Sequence, residues 1–223
     1  MSRLLSIQVG LPRTIEPVAG DTSQKPWTTS FFKQRVTGPV RIGRLGLERD
    51  AVADTQVHGG ADKAACVYSI DRLPYWRNRL GSLLEQGGDE FGAAAFGENF
   101  SVTGLDEESV CIGDRWRIGD AELEVSQPRQ PCWKLARRWR VVSLALWAQE
   151  TGYTGWYVRV TKEGTVTAGD KIELVERPLP DWTIARANRV MHQLKDDREA
   201  NAELASLGPL SASWKRQLLK RIS

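Results

Sequence analysis

Two rhythms of apolar and polar positions divide the chain. Up to about residue 177, apolar side chains recur mostly at alternate positions in short runs, the spacing of strands with one buried face. Beyond Pro178-Leu179-Pro180 they recur at three and four, the spacing of helices. The alternating part predicts a strand over 4–9, short strands over 30–33 and 38–42, a buried strand over 64–68 and strands over 155–160 and 170–175. Its clearest unit is a hairpin. Residues 114–118 and 121–126 both alternate, with Gly119-Asp120 as the turn. Two helices interrupt the strands. One runs over 71–80, capped by Ser69 or Asp71 with Pro74 in its first turn, and the other over 143–151. Residues 10–27 and 87–92, rich in Gly, Pro and small polar residues, read as loops. The helical part predicts segments over 183–193, 197–207 and 211–222, with Gly208-Pro209-Leu210-Ser211 as a stop followed by a cap.

Many short strands at these intervals suggest a barrel or sandwich. The expected fold is therefore mainly β with some α: a β domain over 1–177 and a three-helix domain over 178–223. Three helices in so few residues bury little by themselves, so they should dock on the β domain.

Composition narrows the classes. In 223 residues, the 41% hydrophobic and 26% charged shares belong to soluble globular chains. No run approaches the ~20 apolar residues of a membrane span, and residues 1–9 are too short and interrupted for a secretory signal. A cytoplasmic protein without membrane contact is expected. The net charge of +3 does not demand nucleic acid. The basic last helix is explained by the helix dipole. Three cysteines without CxxC spacing argue against a disulfide framework and a cysteine zinc site. Nine Trp point to a large core.

The candidate chemistry sits at the exit of the hairpin, in Ser126-Gln127-Pro128-Arg129-Gln130-Pro131-Cys132-Trp133-Lys134-Leu135. Two prolines forbid helix and ladder there, so a stiff extended loop should follow the strand. Cys132 ends that loop where a helix carrying Lys134, Arg137, Arg138 and Arg140 should begin. A thiol so placed favours the thiolate, a nucleophile or a soft-metal ligand. A buried, inert cysteine is the plainer alternative, and spacing does not decide between them. Trp133 suits a pocket wall or a core equally. His58, in His58-Gly59-Gly60-Ala61-Asp62-Lys63, suits structural hydrogen bonding as well as proton transfer. The paired glycines match neither a dinucleotide fingerprint nor a phosphate-binding P-loop. Asn99 can donate and accept at once, or simply bond within its turn.

Three blocks in order, Val57 to Lys63, Phe96-Gly97-Glu98-Asn99-Phe100 and Ser126 to Leu135, resemble the MOSC family, the module related to the C-terminal domain of molybdenum-cofactor sulfurases. Gly43 to Asp50 resembles the family's Gly-Leu-x-x-Asp turn. Order, spacing and the helical tail resemble the YiiM-like bacterial branch. The resemblance implies a closed β-barrel and a molybdenum cofactor, molybdopterin with Mo, ligated by Cys132. It also implies a detoxifying reduction of small N-hydroxylated compounds, such as purine bases, to amines. By motif position, Arg129, Lys134 and Lys63 would hold the cofactor's anionic end. His58, Gly59, Gly60, Glu98, Asn99, Ser126 and Gln127 would shape its pocket. The sequence carries no flavin, haem or iron–sulfur motif, so electrons should come from a separate flavoprotein or iron–sulfur reductase. Pyridoxal phosphate is not expected. A non-redox carrier of sulfur or cofactor on Cys132 is the alternative, and a cysteine hydrolase using Cys132 and His58 is a third.

Overall fold

A computed structural model describes residues 1–17, 25–55, 58–84 and 91–223. Part of the predicted loop over 10–27, Val57 of the first motif and most of the loop over 87–92 lie outside the described residues.

One sheet of eight strands organises the structure. Its order is β13 (Glu173–Glu176), β9 (Arg115–Ile118), β10 (Ala121–Pro128), β11 (Trp156–Lys162), β7 (Ala65–Ser69), β8 (Phe100–Thr103), β1 (Arg3–Val9) and β4 (Gln34–Val36). All neighbours are antiparallel except β7 and β8. The predicted hairpin forms as β9 and β10, with Leu123 opposite Trp116. Leu123 and Val125 are fully buried, while the intervening Glu122 and Glu124 face outward. Glu124 ion-pairs with Arg159 of β11 at 2.8 Å. Alternation in sequence thus becomes a two-faced strand.

The sheet curls until its ends meet. The Leu4 N–H donates to the Asp170 carbonyl at 2.9 Å, and the Ile172 N–H donates to the Ser2 carbonyl at 3.0 Å. The segment leading into β13 therefore closes on β1, which gives the barrel. A three-stranded sheet of β12 (Gly164–Val166), β5 (Val40–Gly43) and β6 (Gly46–Leu47) and the pair β2 (Arg13–Ile15) and β3 (Trp27–Thr29) complete the β structure.

The helices are α1 (Leu73–Leu80), α2 (Trp133–Trp139), α3 (Leu144–Thr151), α4 (Ile184–His192), α5 (Arg198–Ser206) and α6 (Ala212–Ile222). Pro74 lies in the first turn of α1. Thr183, Asp197 and Ser211 cap the last three helices through their side chains, each accepting a backbone N–H.

Two apolar clusters result. The first joins Leu4, Ile7, Leu123 and Trp156 of the barrel to Met191, Leu204, Trp214 and Leu218 of the tail, so barrel and tail share one core. The second lies under α1 to α3 and is aromatic: Tyr68 stacks on Phe96 at 3.9 Å, with Trp76, Phe91 and Leu135 around them. Leu135, three residues past Cys132, anchors α2 in this cluster.

Four local expectations differ from the structure, the first being the loop over 10–27, whose described part contains β2 and the start of β3. Residues 30–33 are a bend between β3 and β4, with Phe31 turned into the second core. Strand β10 runs through Pro128, which sits opposite Trp156. Proline removes only its own N–H, and the ladder resumes when the Arg129 N–H donates to the Gly155 carbonyl at 3.0 Å. Residues 164–166, between the strands expected over 155–160 and 170–175, form β12 against β5.

Candidate functional site

A cavity of about 520 Å3 opens where β10 ends, within the size range of small-molecule sites. Among the chain segments that border it are the turn at 58–63, the 97–99 corner and the 129–134 arm.

The arm supplies the chemistry. Cys132 is half-buried at the N-cap of α2, in extended backbone at φ −117° and ψ 167°. Arg129 is buried, its guanidinium carbon 5.8 Å from the Phe31 ring and 6.0 Å from the Phe96 ring. Its Nη1 has no hydrogen-bond partner. Burial works against the Arg129 charge, but Cys66, Tyr157, Cys132 and Glu98 around it outweigh burial and push the pKa above its ordinary value. A buried guanidinium nitrogen without a protein acceptor can serve an anion.

The turn adds cations and close backbone. Gly59 has φ +79°, and a Cβ there would come within 2.9 Å of Val52 Cγ2. Glycine lets this turn lie against the 50–53 wall. His58 is pushed down to about 4, first by burial and then by Lys134, Lys63 and Arg129, so its imidazole is neutral at pH 7. Burial also lowers the Lys63 ammonium from its ordinary value.

Of the residues the sequence singled out, His58, Gly59, Gly60, Lys63, Asn99, Arg129, Cys132 and Lys134 line the cavity. Three do not. Glu98 is 1% exposed, and its carboxylate accepts the N–H groups of Ala94 and Phe96 and the Ser101 hydroxyl. The Ser126 hydroxyl donates to the Asp62 and Tyr157 carbonyls. Gln127 turns the other way: its Oε1 accepts from Ser211 and Ser213 of the tail. Asn99 lines the cavity with its polar atoms already engaged. Its amide donates to the Gln8 carbonyl and to Asp50 Oδ2, and its oxygen accepts from the Cys66 N–H. These bonds splice β7 to the 50 turn. Trp133 is 55% exposed and packs on Trp27 at 5.3 Å, outside the cavity wall.

Sequence reasoning missed Asp50, Cys66 and Tyr157 as wall residues. Asp50 ion-pairs with Lys33 and accepts the Gly10 N–H, fixing three loops at the rim. Cys66 and Tyr157 face each other across β7 and β11. Alternation along those strands would have placed both on one face. Burial pushes the Cys66 thiol up to about 11; Cys66 is buried and Cys132 half-buried, so Cys132 is the more accessible thiol of the cavity.

A curled barrel whose strand exit presents a thiol and cations to a cavity defines a class, and comparison with known proteins gives it a name: the chain belongs to the MOSC domain family, which matches residues 54–173. The YiiM-like 3-alpha helix domain matches residues 182–223, placing the chain among YiiM-like MOSC proteins. It is 39% identical over 218 residues to the uncharacterized protein YflK of Bacillus subtilis, covering 98% of this chain and 93% of that one. It is 39% identical over 193 residues to Protein YiiM of Escherichia coli, covering 86% of this chain and 84% of that one. A protein of Gibberella moniliformis named Reductase matches at 38% over 165 residues, 74% of this chain but 28% of its own length. The crystal structure of YiiM from Geobacillus stearothermophilus superposes with a TM-score of 0.81 at 35% identity over the whole of both chains. Among the described residues no helix is long and apolar enough to cross a membrane.

Proposed function

We propose that the cavity holds a molybdenum–pterin cofactor through Cys132 and that the protein reduces small N-hydroxylated compounds to amines, with electrons from a separate reductase. One observation carries the reading. The half-buried Cys132 and the buried Arg129, whose Nη1 has no hydrogen-bond partner, line one cavity with Lys63, Lys134 and a neutral His58. A soft ligand and an anion cradle side by side suit a group that has a soft metal at one end and a phosphate at the other. The family name and the longer relative named Reductase support the same direction.

When bound, the cofactor supplies two-electron chemistry, so that R–NHOH with two electrons and two protons gives R–NH2 and water. The chain supplies the rest. Cys132 would hold the metal end, and Arg129, Lys63 and Lys134 would hold the anionic end by charge-assisted hydrogen bonds. His58, neutral at pH 7, offers one donor and one acceptor without adding charge. Ala51, Val52 and Ala53 line the cavity with apolar surface for the organic part of a substrate.

The test uses protein made in a host that assembles the cofactor. Wild type should contain molybdenum and, chemically reduced without air, convert an N-hydroxylated purine to the amine. Cys132→Ser should lose the metal, while Cys66→Ser and Cys111→Ser keep it. Loaded protein that never forms amine would turn the reading toward a cofactor carrier. A Cys132→Ser protein with full metal content would overturn the ligand assignment.

A further inference from the structure

The turn at 58–63 and the arm at 129–134 are far apart in sequence, and α6 holds both. On the arm side, the Ser211 N–H donates to the Ser126 carbonyl at 3.0 Å. The Ser211 hydroxyl, itself fully buried, donates to Gln127 Oε1 at 2.7 Å, and the Ser213 hydroxyl donates to the same oxygen at 3.1 Å. Gln130 Nε2 donates to Gln217 Oε1 at 3.0 Å. On the turn side, the Ala212 N–H donates to Asp62 Oδ2 at 3.0 Å. Asp62 Oδ1 pairs with Arg159 at 2.9 Å, and Arg159 also donates to the Pro209 carbonyl just before α6. A direct link joins the two sides: the Ser126 hydroxyl donates to the Asp62 carbonyl at 2.5 Å.

Every contact falls next to a cavity side chain. Asp62 precedes Lys63, Gln127 lies two residues before Arg129, and Gln130 lies two before Cys132. The first turns of α6 also cover the barrel through the apolar side chains of Trp214 and Leu218. Apolar burial is non-directional. Hydrogen bonds, several of them buried, fix orientation and register.

We infer that the three-helix unit positions the cavity. The first turn of α6 sets the separation between the turn that carries Lys63 and the arm that carries Arg129 and Cys132, with Asp62 and Gln127 as positioning residues that act without touching the cavity. The inference goes beyond the proposed reaction and holds for any anion the cavity takes.

The experiment is native-state hydrogen exchange on the full chain without ligand, so its outcome is independent of molybdenum. Asp62→Ala should speed exchange over 58–63 and 129–135 about tenfold, the loss of one to two hydrogen bonds, while β1 and β8 stay as in wild type. Asp62→Asn keeps an acceptor for the Ala212 N–H and should restore most of the protection. Val190→Ala, a core change in α4 with no part in these contacts, should lower overall stability and leave exchange in both segments slow under native conditions. Unchanged exchange in Asp62→Ala, an equal rise along the whole chain, or an equal rise in Val190→Ala would overturn the inference.

Discussion

The 97–99 corner and the 129–134 arm both border the cavity, yet their polar atoms have opposite fates. At the corner the side chains of Glu98 and Asn99 are hydrogen-bonded within the protein. Glu98 holds two N–H groups and a hydroxyl, and Asn99 bonds Gln8, Asp50 and Cys66. Gly97 has φ +71° and lies so close to the Phe31 ring that a Cβ would come within 2.9 Å of it. On the arm, Arg129 Nη1 is buried without a partner, and Cys132 faces the opening half-buried. A residue can therefore belong to a motif and line a pocket without binding anything. Accounting for its hydrogen bonds separates the two cases.

The sharpest way to break this contrast is to remove one residue from each side. Arg129→Gln deletes the unpartnered charge-assisted donors. Affinity for inorganic pyrophosphate, measured by calorimetry, should fall about a hundredfold, roughly the strength of one or two hydrogen bonds to a charged group. Thermal stability should fall less than in Asn99→Ala, because the Nη1 that is removed leaves no hydrogen-bond partner stranded. Asn99→Ala should do the reverse. Leaving the Cys66 N–H and Asp50 without their partners should cost about 2–3 kcal/mol of stability, with pyrophosphate affinity of the folded protein within twofold of wild type. If Asn99→Ala lost affinity and kept its stability, the corner would be a binding element after all.

A smaller effect distinguishes Glu98 from an ordinary surface carboxylate. Burial pushes its pKa above the usual range, against the Ser101 hydroxyl and the N–H donors that pull it down. A folded-state value above the unfolded one means the folded chain holds the proton more tightly. This contribution to stability is fully present below the unfolded pKa and is lost as pH rises through the folded one. Glu98→Gln stays neutral, so its urea midpoint relative to wild type should improve as pH rises through that window. A constant difference across the window would show that the carboxylate carries no such shift.

The contrast also marks what the sequence made legible. Alternation in 114–126 predicted the β9–β10 hairpin because each strand buries one face, and the switch to helical spacing predicted α4, α5 and α6, with Ser211 as the cap of the last. The arm was legible because two prolines and a thiol lie within a few residues of each other. The engaged state of Asn99 was not, since its partners Gln8 and Asp50 come from segments 91 and 49 residues away. Gln127 misled for a related reason. It lies in the motif beside Arg129, but its partners belong to α6, 84 and 86 residues on. Local pattern reports periodicity and caps. It does not report which distant chain will consume a polar group.

The chain's two histidines give the smallest and most selective test. Both are held near pH 4, chiefly by burial, but their charged neighbours differ. Lys134, Lys63 and Arg129 depress His58 at the cavity, whereas Lys195 and Arg221 depress His192 in the tail. Without ligand the two behave alike. Each has a folded value below the unfolded 6.5, so the unfolded chain takes up protons first and stability falls as pH drops from about 6.5 toward 4. An anion in the cavity breaks the symmetry. It offsets the three cations around His58 and leaves burial unchanged, so His58 should rise by about one pH unit. His192 is surrounded by other charges and should not move. Imidazole resonances followed against pH, with and without inorganic pyrophosphate, read both histidines in one experiment. A rise confined to His58 places the bound anion among Lys63, Arg129 and Lys134. Equal movement of both would assign the effect to ionic strength, and no movement at saturating pyrophosphate would place the anion elsewhere.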